Sequence, residues 1–136
     1  MARSISNDEI ETAIEALLEG PGFFMFEKVF DTEQIDIANH LIQMHSEDKI
    51  GATHFHGGHS DKIHLQRRVW NLLNKGQVFV EMVQHHAIMH VFSKILGNNF
   101  ILGSYAANRL LPGAPGQEPH LDYPYWDMYN LSLIHI

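Results

Sequence analysis

Helical periodicity comes first along this chain and strand-like composition last, and the strand-like stretches are too few to close a sheet or a barrel by themselves. Ser6 and Glu9 have the spacing of a capping box, and Ile10, Ile14, Leu17 and Leu18 recur on one face. A first helix is therefore expected to begin near Ser6 and to stop at Gly20 and Pro21. Residues 23–30 are β-prone and bounded by Gly22 and Asp31, which predicts a short, largely buried strand. Asp31 or Thr32 then caps a second helix, with Ile35, Ala38, Leu41, Ile42 and His45 on one stripe. Residues 51–62, GATHFHGGHSDK, lack periodicity and read as a loop, whereas residues 67–74 read as helical. Phe79, Met82, Val83, Ala87, Val91, Ile95 and Leu96 recur at spacings of three and four, which predicts one long helix over residues 77–96, ended by Gly97. Residues 100–111 have a strand composition, PGAPGQEP is a turn-rich loop, and the aromatic segment from His120 onward reads as an edge-type strand and its continuation.

Length and charge narrow the function. A chain of 136 residues is long enough for one domain, residues 1–136, and too short for two of ordinary size. Its 45% hydrophobic residues and mean hydropathy of -0.16 are those of a globular protein. No run approaches the roughly 18 apolar residues of a membrane span, and the acidic, amphipathic N-terminus is unlike a signal peptide, so a cytoplasmic protein without membrane contact is expected. A net charge of -7 argues against a nucleic-acid partner and for a small-molecule one. With no cysteine, any metal must be held by nitrogen and oxygen, and 11 histidines supply ligands while making chance motifs common.

His120, Leu121 and Asp122 form an H-x-D triplet entering a strand-like segment. Residues i and i+2 of a strand point the same way and can grip one ion. Two such ligands and a distant histidine make the facial triad of non-haem Fe(II), which leaves coordination positions open. The triplet alone is weak, because about 0.6 such triplets arise by chance at this histidine and aspartate content. Two competitors exist. His45 and Glu47 fall on a helix, where neighbours two apart diverge by about 200°, and His59 and Asp61 fall in the glycine-rich loop, where nothing rigid fixes them. His120 and Asp122 follow a β-prone segment and a tight Pro-Gly loop, the placement that a site at a barrel mouth requires.

Residues 68–127, RVWNLLNKGQVFVEMVQHHAIMHVFSKILGNNFILGSYAANRLLPGAPGQEPHLDYPYWD, resemble the central part of the phytanoyl-CoA dioxygenase family. Members of that family share a helix ending in LLG, matched here by ILG at 95–97, a strand with an asparagine, a PG loop and then H-x-D. The N-terminal EGPGFFMFEKVFDTEQIDIANHL resembles that family's opening, so the likeness covers most of the chain. It implies an α+β fold, with N-terminal helices packed on a partial double-stranded β-helix, the cupin-like jelly roll. It also implies an oxidoreductase: an Fe(II)- and 2-oxoglutarate-dependent dioxygenase that hydroxylates a small organic molecule or acyl thioester with O2, releasing succinate and CO2. His120 and Asp122 would be metal ligands and Asn108 a partner of the 2-oxoglutarate carboxylate.

Gln117, three residues before His120, is a second candidate for the co-substrate, and Tyr123 and Trp126 are candidates to wall the substrate pocket. The family's distal histidine and the arginine after it have no counterpart, since His135 lies only 13 residues past Asp122. The resemblance thus implies a domain whose C-terminal strands are missing, with 131–136, LSLIHI, resembling translated adaptor sequence, and a fragment inactive by itself. An alternative is a non-catalytic jelly-roll remnant that holds metal or ligand. A further one is a zinc- or nickel-binding protein centred on the histidines of 51–64. Tyr105, Trp70 and Leu73 are expected in the core, Arg109 at the surface, and His86 and His90 on a solvated helix face.

Overall fold

A computed structural model of the chain describes residues 3–46 and 64–116. In order, the elements are α1 (Asn7–Leu18), α2 (Thr32–Ser46), β1 (Gln66–Val69), a 3-10 turn (Leu72–Asn74), α3 (Gln77–Val83), α4 (His86–Leu96) and β2 (Ala107–Leu110). The fold is α+β: helices around a two-stranded antiparallel ribbon. Among the described residues no helix is long and apolar enough to cross a membrane.

Both N-terminal helices begin where side chains satisfy their first N–H groups. Ser6 Oγ accepts from the Glu9 amide at 3.3 Å, and the Glu9 carboxylate accepts from the Ser6 amide at 3.2 Å. Arg3 grips the same carboxylate with two nitrogens, at 2.7 and 3.0 Å, and these bonds hold the Glu9 carboxyl down to about 2. At α2 the box is built from Asp31 and Gln34: Asp31 Oδ1 accepts from the Gln34 amide at 2.9 Å, and Gln34 Oε1 from the Asp31 amide at 3.2 Å. Ala38 of α2 is buried, with Leu41 and Ile42 packed beside it, but Ile35 falls outside the buried stripe.

Four sequence expectations are corrected. Residues 23–30 form no strand, since among the described residues no strand lies alongside to complete a ladder, and Lys28 takes a φ of 56°. Phe26 and Val29 pack inward while Phe23 and Met25 stay exposed, so the segment is an apolar strap. Residues 67–74 are not helical: Gln66–Val69 pairs with β2, and Asn71, at a φ of 59°, turns the chain into the 3-10 turn. Trp70 and Leu73, expected inside, are exposed, and Leu72 fills the core instead. The long helix over residues 77–96 is broken at Gln84 and His85, where His85 is extended (φ -56°, ψ 132°) and its Nδ1 caps α4 by accepting from the Ala87 amide at 3.3 Å.

That break serves packing. α3 sends Val78, Phe79 and Met82 into one cluster with Ala38, Val69 and Leu72, whereas α4 sends Ala87 and Val91 into another with Ile5, Ile10 and Ala13. A continuous helix has one axis, and two cores in different directions need two. The His85 ring sits edge-on to Phe30 and 4.5 Å from the His86 ring. Burial, with a smaller contribution from His86, pushes its proton affinity below the ordinary histidine value.

Candidate functional site

The two-stranded ribbon gathers the polar side chains of Gln66, Arg67, Arg68, Asn108 and Arg109. Its register pairs Gln66 with Leu110, Arg67 with Arg109, Arg68 with Asn108 and Val69 with Ala107. Cross-strand partners share a face and neighbours alternate, so Arg67, Val69, Ala107 and Arg109 lie on one side, and Gln66, Arg68, Asn108 and Leu110 on the other.

The first side is anchored to the helices. Val69 is fully buried, and Ala107 and Tyr105 pack against the cluster around Phe79, whose ring meets Tyr105 edge-on at 6.3 Å. Burial raises the Tyr105 hydroxyl above its ordinary range. Tyr105 is thus a packing residue, as expected. Arg109 is less superficial than expected: its Nη1 donates at 3.3 Å to Ser46 Oγ, a fully buried hydroxyl at the end of α2. A cation there also complements the carbonyl end of the helix dipole. Arg67 donates to the backbone oxygen of His64.

The opposite side is arranged differently. Gln66 is 2% exposed, and its Nε2 donates to Asn108 Oδ1 at 2.8 Å. This bond takes one acceptor position of the Asn108 amide oxygen and leaves its N–H donors for another partner. Gln66 Oε1 and Arg68 Nε are buried without a hydrogen-bond partner among the described residues. The Arg68 guanidinium lies over the Trp70 ring, 4.5 Å from its centroid, which explains why this large aromatic stays half out of the core. Three of the chain's four arginines stand on the eight residues of the ribbon. Yet the ion pairs among the described residues are Arg3 with Glu9 and His90 with Glu11, so none of the three has a carboxylate partner there.

Of the residues singled out from sequence, Asn108 lies on β2 within this face. His120, Asp122, Gln117, Tyr123 and Trp126 lie outside the described residues, as do His54, His56 and His59. Among the described residues no three histidine or carboxylate side chains gather to hold a metal. His86 and His90 are engaged singly, with the Ile5 carbonyl at 3.3 Å and Glu11 at 4.0 Å. Gln66 and Arg68 were not anticipated. Their signal is the alternation of Gln66, Arg68 and Trp70 around a buried Val69, which the helical reading of residues 67–74 obscured.

A cavity of about 390 Å³ lies between α3, α4 and residues 100–103, lined by Val80, Ile88, Phe92, Leu96 and Ile101 among others. Among the described residues that line it, Gln84 is the one polar side chain and none is titratable. No family model, curated protein or solved structure matches the chain.

Proposed function

We propose that the chain carries part of an Fe(II)- and 2-oxoglutarate-dependent oxygenase similar to the phytanoyl-CoA dioxygenases, acting on a small organic molecule or acyl thioester. In this reading β1 and β2 belong to a double-stranded β-helix, and the protein is cytoplasmic. The observation that carries the reading is Asn108. It stands on the strand leading into the Pro112-Gly113 turn and the H-x-D triplet, and its amide oxygen is already engaged by Gln66. An amide held this way keeps both N–H donors for a partner, which suits a carboxylate.

The donor set fits the metal in kind: with no cysteine, imidazole and carboxylate from His120 and Asp122 are the ligand types of a non-haem iron site. A carboxylate at the second position also disfavours halogenation, which needs that coordination place for a halide. When bound, Fe(II) with 2-oxoglutarate and O2 supplies the oxidation, with succinate and CO2 as co-products. The chain's own part is ligation by His120 and Asp122, orientation of the oxoacid by Asn108 and Gln117, and exclusion of water by Tyr123 and Trp126.

Titration with Mn(II), a redox-quiet stand-in for iron, tests the reading. Replacing both His120 and Asp122 by alanine is expected to weaken Mn(II) binding by well over the roughly 10- to 100-fold typical of losing a residue that only supports a ligand. Added 2-oxoglutarate is expected to tighten Mn(II) in the wild type, and less so in Asn108→Ala. Metal affinity unchanged by the double substitution overturns the proposal, and affinity lost instead on replacing His54, His56 and His59 favours the histidine-rich loop.

A further inference from the structure

We propose that Gln66 and Arg68 form a subsite for a small carboxylate that bears a neighbouring hydroxyl, and that this ligand is the substrate side of the oxygenase reaction. Identifying the ligand as substrate rests on the oxygenase reading; its binding needs no metal. The argument starts from two orphaned atoms on one face. Gln66, 2% exposed, has its Oε1 unpaired, and Arg68 has its Nε unpaired, each buried without a hydrogen-bond partner among the described residues. Buried polar atoms of folded proteins are nearly always paired, so an acceptor and a cationic donor left unpaired on one face define what is missing.

The missing partner must accept from a guanidinium and donate to an amide oxygen. An anion alone satisfies Arg68 and leaves Gln66 Oε1 unpaired. 2-Oxoglutarate is such an anion: ionised, it carries acceptors only, and so it is not the occupant of this subsite. An ammonium donor satisfies the amide oxygen but places a positive charge beside Arg68, on a ribbon that also carries Arg67 and Arg109 without carboxylate partners among the described residues. A hydroxyl donates without that repulsion. Residues 66 and 68 are two apart on a strand, hence about 6.6 Å apart along it, a spacing that two functional groups of one small molecule can span.

Two further contacts hold the subsite in shape. Asn108 ties down Gln66 Nε2 at 2.8 Å, so the glutamine presents its oxygen, and the Trp70 ring under the Arg68 guanidinium restricts its plane. Asn108 N–H groups stand next to Arg68 in the register, so the carboxylate of this ligand and that of the oxoacid would be neighbours on one donor-rich face. Arg68 is then the group that selects an anionic substrate, and Gln66 the group that selects a hydroxylated one.

The test uses the full chain, without metal, and two probes of nearly equal size, lactate and propionate, at constant ionic strength. The side-chain amide resonances of Gln66 and Asn108 report occupancy in a ¹H–¹⁵N spectrum. Lactate is expected to shift both saturably and to bind about tenfold more tightly than propionate, the worth of one additional hydrogen bond to a buried acceptor. Arg68→Gln is expected to remove saturable binding of both, and Gln66→Met to erase the preference for lactate; circular dichroism checks that each variant folds. Equal binding of lactate and propionate by the wild type, shifts that never saturate, or lactate binding that survives Arg68→Gln each overturn the proposal. The wild-type comparison decides even where a variant does not fold. Because no metal is present, failure here leaves the Mn(II) result standing, and failure of Mn(II) binding leaves this result standing.

Discussion

Gly76 lies where α3 enters the core beneath the ribbon, and replacing it by alanine sets two effects against each other. Its backbone, at φ 169° and ψ 149°, is extended and open to any residue, so no backbone strain opposes the substitution. Removing a glycine from the unfolded chain stabilises by about 0.4–1 kcal/mol. Against this, a Cβ at Gly76 comes within 2.5 Å of Leu41 Cδ1 on α2, far inside contact distance, with Phe79 Cδ2 at 3.8 Å on its other flank. Leu41 packs on the cluster that contains Phe79, so its methyl has to displace core neighbours, an overpacking cost of about 1–3 kcal/mol. Gly76 is also the residue capping α3, and alanine is the poorer cap there by about 1 kcal/mol or less. The sum is a destabilisation of about 1–2 kcal/mol. In urea that lowers the unfolding midpoint by about 0.5–1 M at an m-value of about 2 kcal/mol/M. The cause is separable with Leu41→Ala, which removes the clashing methyl: the double variant is expected to be more stable than the two single costs predict, by about 1 kcal/mol. A Gly76→Ala midpoint at or above wild type refutes the reasoning, and additive costs refute the Leu41 contact as its source.

Two smaller tests address the helix starts. Asp31→Ala removes the acceptor for the Gln34 amide and is expected to cost about 1 kcal/mol, read as a lower thermal midpoint by circular dichroism; an unchanged midpoint refutes the cap. Arg3 and the Ser6 amide hold the Glu9 carboxyl at about 2, below its ordinary 4.5, so the folded state takes up this proton less readily than the unfolded one. The resulting stability is whole above about 4.5 and disappears as pH falls through about 2. Glu9→Gln is expected to flatten the fall in stability across that window and to leave its slope near neutrality unchanged; an unaltered acid profile refutes the pairing.

Some of this molecule was legible in its residues. The Ser6–Glu9 box, the start of α2 at Asp31, the stop at Gly97 and the mixed α+β character follow from short-range patterns, because a cap needs only a side chain within three residues of the amide it serves. Asn108 is singled out by the family resemblance, and its place on a strand before a Pro-Gly turn agrees with the strand composition of that stretch. What failed were statements about partners distant in sequence. Residues 67–74 have no local feature that forbids a helix, and they become a strand because residues 107–110 offer a ladder some forty positions away. Residues 23–30 have strand composition but meet no such ladder among the described residues.

The apolar spacing of residues 77–96 is helical throughout, and nothing in it says that the two halves serve different cores; only the separate clusters around Phe79 and around Ile10 force the break at His85. The same holds for the candidate site. Residue type and spacing offer nitrogen and oxygen ligands in an H-x-D triplet as a candidate, and the family resemblance adds Asn108 as a candidate partner of a carboxylate. That Gln66 is buried, that it turns Asn108 toward donation, and that Arg68 is left without a partner depend on which strand lies beside which, and cross-strand register is a property of the folded chain alone.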